Sequence, residues 1–246
     1  MTTKKTILYP TFEDKNFQKK ISFKKEFNYK TTVIEKTCNS NTRFELEPHQ
    51  EFVKRFISYN TPYNGLLLFH GLGSGKTCSA IGISEEIRKY NKNNPLFKPC
   101  IIIASPDVQN NFKLQLFDKN RLKKINGIWN MSSCVGPLIL DELKINDIHN
   151  LEKDKIIEKI NKLIKENYIF MGYIQFANMI EKITSYNSEV LKKKLKDEFE
   201  DRLIIIDEAH NIRETIEDEK KKVSTMLNRL IKNVSNMKLL LLTGTP

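Results

Sequence analysis

Between residues 66 and 81 the chain runs from apolar to glycine-rich to amphipathic without a break. Leu66-Leu67-Leu68-Phe69 leads into His70-Gly71-Leu72-Gly73-Ser74-Gly75-Lys76-Thr77, and Cys78-Ser79-Ala80-Ile81 follows at once. Few folds tolerate that order. A buried strand must end in a loop stripped of side chains, and a helix must start directly after it. Main-chain N–H groups and the positive end of the helix then converge on one point, which suits a phosphate. In such a loop Lys76 reaches the β- and γ-phosphates of a nucleotide and the Thr77 hydroxyl turns to Mg2+. Gly71, Leu72, Gly73, Ser74, Gly75, Lys76 and Thr77 are therefore the candidate nucleotide-binding residues. The strict pattern has glycine where His70 stands. A chance glycine-rich turn is the competing explanation, and the strand before and helix after weigh against it.

The rest of the chain supports an α/β class, a mostly parallel sheet flanked by helices. Short apolar runs at Leu66–Phe69, Cys100–Ala104, Tyr168–Met171, Leu203–Ile206 and Leu239–Leu242 are candidate strands, each expected to be covered on both faces. Ile156, Ile157, Ile160, Leu163 and Ile164 form one helical stripe, and Val223, Met226, Leu227, Leu230 and Ile231 form another. Both are core-facing stripes on this reading. The pattern begins at Pro48 and gives a domain over 48–246, with a less regular, insertion-like region at 118–167 and a short strand near Ile128–Met131. Residues 1–47 are polar and lysine-rich with scattered aromatics (Tyr9, Phe12, Phe17, Phe23, Phe27, Tyr29), the composition of a basic N-terminal arm packed on a neighbour.

A second chemical signal is Leu203-Ile204-Ile205-Ile206-Asp207-Glu208-Ala209-His210. A carboxylate at the end of a buried strand is placed to hold Mg2+ through its water shell, as the acidic partner of a phosphate loop. The adjacent Glu208 is placed to polarise an attacking water as a general base. Asp-Glu after a strand is also common at harmless surface turns, and it is the upstream Lys76 that makes the pair specific. Lys76, Asp207 and Glu208 are the candidate catalytic residues, with Thr77 and Asp207 as metal ligands.

The formal net charge is +11, which favours a polyanionic partner, although lysine-rich composition alone does not single out nucleic acid. No apolar run is long enough to cross a bilayer, and Met-Thr-Thr-Lys-Lys lacks the apolar core of a secretory leader, so an intracellular setting is expected. Cys38, Cys78, Cys100 and Cys134 are far apart with no CxxC pair and are read as reduced thiols rather than zinc ligands.

Asp207-Glu208-Ala209-His210 and Leu242-Thr243-Gly244-Thr245-Pro246 resemble motifs II and III of superfamily 2 helicases, and Gly-x-Gly-Lys-Thr with a variable leading residue is the form of phosphate loop seen there. The resemblance implies a RecA-like phosphate-loop domain that uses ATP and Mg2+. It makes Thr243 and Thr245 residues that couple nucleotide state to nucleic-acid contacts. Leu46-Glu47-Pro48-His49-Gln50 resembles the glutamine motif, which implies that Gln50 reads the adenine edge; a lone glutamine is otherwise a solvated surface residue. Ile101–Pro106 with Asn111-Phe112 resembles motif Ia, which implies phosphate contacts from Ser105 and Asn111; Ser105 as a plain helix cap is an equal alternative. Tyr173 resembles the tyrosine before motif II and is read as packing.

The Asn60–Gly65 lead-in, with Tyr9-Pro10 and Lys24–Phe27, is similar to helicases of large nucleocytoplasmic DNA viruses, the group of poxvirus-type early transcription factor small subunits and nucleoside triphosphatase I. That likeness implies a motor on nucleic acid, DNA favoured over RNA, in viral transcription, with transcription-complex subunits as partners and the host cytoplasm or virion as its place. In this family a second lobe carries the later motifs and an arginine that completes the ATP site. None of these lies within 1–246, so the expectation is a fragment, with a split gene product that needs a partner as the alternative, and alone it should bind nucleotide and turn it over slowly. A non-catalytic scaffold subunit and an RNA helicase are the alternatives. A nucleotide kinase or GTPase is disfavoured, since no guanine-reading Asn-Lys-x-Asp occurs.

Overall fold

The computed structural model describes residues 9–27, 46–71, 73–92, 94, 97–143, 150–184, 188–212 and 218–244. In chain order the strands are β1 (Gly65–Phe69), β2 (Cys100–Ile103), β3 (Leu122–Ile125), β4 (Ile128–Met131), β5 (Tyr168–Met171), β6 (Leu203–Ile206) and β7 (Lys238–Thr243). The helices before the β3–β4 pair are α1 (Phe17–Ser22), α2 (Pro48–Phe56), α3 (Lys76–Tyr90) and α4 (Pro106–Leu116). Those after it are α5 (Gly136–Glu142), α6 (Lys153–Asn167), α7 (Tyr173–Thr184), α8 (Ser188–Phe199) and α9 (Asp218–Asn233). Five strands form one sheet in the order β1-β7-β6-β2-β5, and each neighbouring pair is parallel. The expected α/β class, a parallel sheet flanked by helices, is what the chain adopts.

Parallel strands need crossover helices, and these cover the two faces of the sheet. On one face Ile102, Ile205 and Leu240 meet Ile81, Ile83, Phe112 and Leu116 of α3 and α4, together with Ile156 and Ile160 of α6. On the other, Ile101, Ile103, Ile204 and Ile206 meet Phe176, Leu195, Phe199, Leu227 and Leu230 of α7, α8 and α9. The continuous apolar runs of β2 and β6 exist because both faces of these central strands are buried, each such side chain contributing about 1.5–3 kcal/mol.

Coverage fails at β1. It lies at the end of the strand order, and Leu67 and Phe69 are 56% and 55% exposed while Leu68 between them is buried. The expectation of two covered faces is therefore corrected for this strand: its run is apolar, but among the described residues only β7 flanks it. Ile231, assigned to the core stripe of α9, is likewise 45% exposed, at the margin of that stripe.

The region expected to be irregular contains an ordered hairpin. Ile128–Met131 is a strand, and its partner is Leu122–Ile125, paired antiparallel. Asn126 and Gly127 make the two-residue turn with φ of 51° and 80°, the left-handed pair that matches the twist of a hairpin.

A disulfide joins Cys78 to Cys134 across 56 residues of sequence. The reading of these two as reduced thiols is thus corrected; their proximity arises from tertiary packing, which spacing along the chain does not reveal. Cys100 is free and buried, and Cys38 lies outside the described residues. Cys78 opens α3, and the other end of that helix is tied to α5: Arg88 holds Glu85 (Nε to Oε1, 3.0 Å) and also pairs with Glu142 of α5. Tyr168 of β5 donates to the same Glu85 at 2.5 Å.

In the N-terminal segment, Tyr9, Phe17, Ile21 and Phe27 pack on Phe56 and Tyr63, whose rings stack at 4.5 Å. The Tyr63 hydroxyl donates to the Pro10 carbonyl at 2.8 Å.

Candidate nucleotide site

The site gathers where β1, β6 and β7 end. Parallel register brings Phe69 beside Thr243, and Ile206 beside Leu241, so the loops after all three strands emerge on one edge. Clefts outside the carboxyl ends of parallel strands are where α/β sheets bind ligands.

The loop after β1 folds so that α3 starts at Lys76 directly after Gly75, which has φ 78° in the left-handed region. That conformation turns the chain sharply enough to aim the first N–H groups of α3 back over the loop. A side chain at Gly75 would also collide: a Cβ there would lie 2.5 Å from Gln50 Nε2. Gly71 and Gly73, by contrast, border open space, with nothing within 4 Å of an added Cβ. Lys76 Nζ donates to the carbonyls of His70 (2.7 Å) and Gly71 (3.1 Å), which places the ammonium across the mouth of the loop. Ser74 Oγ and His70 Nδ1 are buried without a hydrogen-bond partner among the described residues. Orphaned polar atoms, open space beside two glycines, a helix N-terminus and an ammonium fit a polyphosphate. Leu72 lies outside the described residues. Thr77 is half-buried in the first turn of α3.

Gln50 is buried and committed at both ends of its amide. Oε1 accepts from the Glu47 N–H at 2.9 Å, and Nε2 donates to the Gly75 carbonyl at 3.3 Å. His49 beside it approaches the Ser74 carbonyl (3.4 Å) and sets its ring edge-on to that of His70. The N-terminal turn of α2 thus braces the glycine loop from behind. For Gln50 to read an adenine edge, one of these two bonds must open.

Asp207 is only 6% exposed, and its backbone N–H extends the sheet to Ile103 (3.0 Å). Its Oδ1 accepts from the Glu208 N–H at 2.9 Å. Burial pushes the Asp207 carboxyl above the ordinary carboxylate range; the Glu208 N–H opposes this, the Glu208 charge adds to it, and the charge of Lys76 opposes it. Among the described residues no group of three or more His, Cys, Asp or Glu stands ready as a metal cage. Thr77 and Asp207 are the hydroxyl and carboxylate that would hold Mg2+ here, an ion that keeps most of its water and binds phosphate oxygens. Glu208 has φ 48°, a left-handed conformation uncommon outside glycine that redirects the chain as it leaves the sheet.

Two residues that sequence reasoning leaves without a role join these pieces. His210 Nδ1 lies 3.2 Å from Glu208 Oε2 and 3.3 Å from Thr243 Oγ1, and so stands between the carboxylate and the end of β7. The His70 N–H donates to the Thr243 carbonyl at 3.3 Å, extending this chain of contacts to the glycine loop. Tyr173, read as packing, donates its hydroxyl to the Asp207 carbonyl at 2.7 Å; burial raises its phenol, a hydrogen bond with Asn211 opposes this, and the charges of Asp207 and Glu208 add to the rise. Only the motif position of His210 and Tyr173 is visible in sequence.

The residues assigned to nucleic acid are less gathered. Ser105 occupies the N-cap of α4 without a side-chain cap bond, and Asn111 is exposed on the same helix. Thr243 is buried within the nucleotide site, and Thr245 lies outside the described residues.

The sequence model of the family described as type III restriction enzyme, res subunit, matches residues 23–246. A protein named as a helicase from Invertebrate iridescent virus 3 is 30% identical over 209 residues, covering 82% of this chain and 19% of that protein. A protein named as an ATP-dependent RNA helicase from Acanthamoeba polyphaga mimivirus is 27% identical over 246 residues, covering 97% of this chain and 36% of that protein. The chain thus spans 19% to 36% of the length of these relatives. Among solved structures, a Sulfolobus solfataricus SWI2/SNF2 ATPase core in complex with dsDNA aligns with a TM-score of 0.41 at 19% identity, over 84% of this chain and 33% of that one.

Proposed function

We propose, from the premise that this chain belongs to the family of the type III restriction enzyme res subunit and is a superfamily 2 helicase-type RecA-like domain, that it binds ATP with Mg2+ and couples hydrolysis to movement on nucleic acid. The observation that carries this reading is the unbroken chain of contacts from Lys76 through His70 and Thr243 to His210 and Glu208. A simple nucleotide-binding loop has no need of it. A motor does, because the state of the γ-phosphate must be reported to another surface.

In the proposed mechanism the N–H groups of Gly73 through Thr77 and the Lys76 ammonium hold the β- and γ-phosphates. Thr77 and Asp207 would hold Mg2+, which supplies charge neutralisation at the phosphate oxygens. Glu208 orients the attacking water and takes its proton. Tyr173 fixes the Asp207 main chain, and Gln50 braces Gly75. Motion of Glu208 or His210 is felt at Thr243, the proposed coupling residue, with Thr245 following it. Ser105 and Asn111 supply backbone contacts to the nucleic acid. A second lobe of similar fold contributes an arginine; supplied in related phosphoryl-transfer systems, such a residue is worth about 10³–10⁵ in rate.

DNA is the favoured track, in the setting of viral transcription. A second reading, movement on RNA, is favoured by the name of the mimivirus relative. Linkage tests both. The affinity of the chain for ATP with Mg2+ is measured alone, with duplex DNA and with duplex RNA. Coupling is expected to tighten ATP binding at least about fivefold with the true track. ATP affinity indifferent to every nucleic acid overturns the motor reading and leaves a scaffold subunit.

A further inference from the structure

The β3–β4 hairpin is used nowhere in the site above. From Lys119 to Met131 it carries Lys119, Arg121, Lys123 and Lys124 and no acidic residue. Its register, Leu122 with Met131, Lys123 with Asn130, Lys124 with Trp129 and Ile125 with Ile128, gives the ribbon two unlike faces. One face is the anchor. Leu122 and Met131 are buried in the main core, Trp129 Nε1 donates to the Leu151 carbonyl at 3.3 Å, and Lys124 Nζ lies 5.5 Å over the Trp129 ring. The other face, Lys123, Asn130, Ile125 and Ile128, is exposed, the two isoleucines at the tip by 49% and 57%. Arg121 pairs with Asp118, whereas Lys119, Lys123 and Lys124 form no ion pair among the described residues.

We propose that this hairpin is a duplex-DNA contact, its exposed face inserted in the major groove. A two-stranded ribbon fits that groove, Lys123 on the exposed face meets a flanking phosphate, and the apolar tip residues meet thymine methyls. The deep, narrow major groove of an RNA duplex excludes it. The dense, single-sign charge beside the tip sets the hairpin apart from an apolar protein-docking patch. The ribbon also reaches the nucleotide site. It runs through a short turn into α5; Cys134 in that turn is joined to Cys78 of α3, and Glu142 at the end of α5 pairs with Arg88 of α3. Strain on the hairpin is thereby passed to the helix that begins at Lys76. The assignment rests on the motor reading and names a surface that makes its grip.

The test uses the whole chain and labelled duplexes of DNA and RNA, with affinity followed against salt. Lys123→Gln is expected to lower the slope of log K against log salt by about 0.9, the value for one phosphate that the ribbon no longer neutralises. Ile125→Ser/Ile128→Ser is expected to weaken DNA binding severalfold at unchanged slope while RNA binding stays as it was. Lys162→Gln, on the exposed side of α6, is the control and should alter neither. If the unaltered chain binds DNA and the hairpin variants match it in affinity and slope, the hairpin assignment falls and the motor reading stands. An equal weakening on RNA from the isoleucine variant overturns the groove. If the unaltered chain binds no nucleic acid, the motor reading falls and the hairpin proposal falls with it.

Discussion

Gln50 and Gly75 are locked together: the glutamine Nε2 donates to the glycine carbonyl at 3.3 Å and occupies the space that a Cβ on Gly75 would need. Gly75→Ala must therefore displace a buried amide and also hold alanine at positive φ, a conformation that costs about 1–2 kcal/mol. The variant should melt a few degrees lower and bind ATP more weakly. Adding Gln50→Ala should relieve the collision and recover only part of the deficit, because the φ strain remains. Gly71→Ala, with open space around it and no positive φ, should leave the melting temperature unchanged. Thermal unfolding of the three variants checks this.

Arg88 is the hub of a buried ionic cluster. Arg88→Met strands Glu85, which is 1% exposed, with the Tyr168 hydroxyl as its remaining side-chain partner among the described residues, and breaking a buried pair in this way costs about 3–5 kcal/mol. Glu142→Gln, which leaves the Arg88–Glu85 pair intact, should cost distinctly less. Urea midpoints at constant slope would separate the two.

The Cys78–Cys134 disulfide closes a long loop, which the chain-entropy model values at about 4 kcal/mol. A reductant should lower the melting temperature of the unaltered chain. Cys134→Ser should start from that lower value and ignore the reductant.

Lys238, buried at the start of β7, donates to the carbonyls of Ser58 (3.3 Å), Thr61 (3.5 Å) and Tyr63 (2.8 Å). Burial pulls its ammonium down from the ordinary 10.5 to about 8. The folded chain then releases a proton that the unfolded chain still holds, so this group's contribution to stability rises as pH climbs from about 8 to 10.5. Lys238→Met should lack that rise. Denaturant titrations of both proteins across the window, taken as a difference, test it.

The elements legible in the sequence are those written in local pattern. The β1–α3 transition needs glycines in one short stretch, and the central strands need unbroken apolar runs, so both can be placed without coordinates. Features that depend on distant parts of the chain stay hidden. Cys78 and Cys134 meet only because the turn between β4 and α5 comes back beside α3, and β3 escapes notice because Leu122-Lys123-Lys124-Ile125 lacks the apolar density of a strand. Exposure at Leu67 and Phe69 depends on strand order, which composition does not encode. At the site, His210 and Tyr173 are visible as motif letters, but their partners are set by where β6, β7 and α7 end. Gln50 shows the same limit: its tie to Gly75 follows from the position of α2, not from its own neighbours.

The central claim is that Lys76, Thr77 and Asp207 form one site for ATP with Mg2+. The most direct measurement is equilibrium binding of ATP, with and without Mg2+, to the unaltered chain and to Lys76→Ala. The account predicts Mg2+-dependent binding that weakens at least about 10-fold in the variant, the worth of one charge-assisted bond to phosphate. Equal affinity in the two proteins, or binding indifferent to Mg2+, would contradict it.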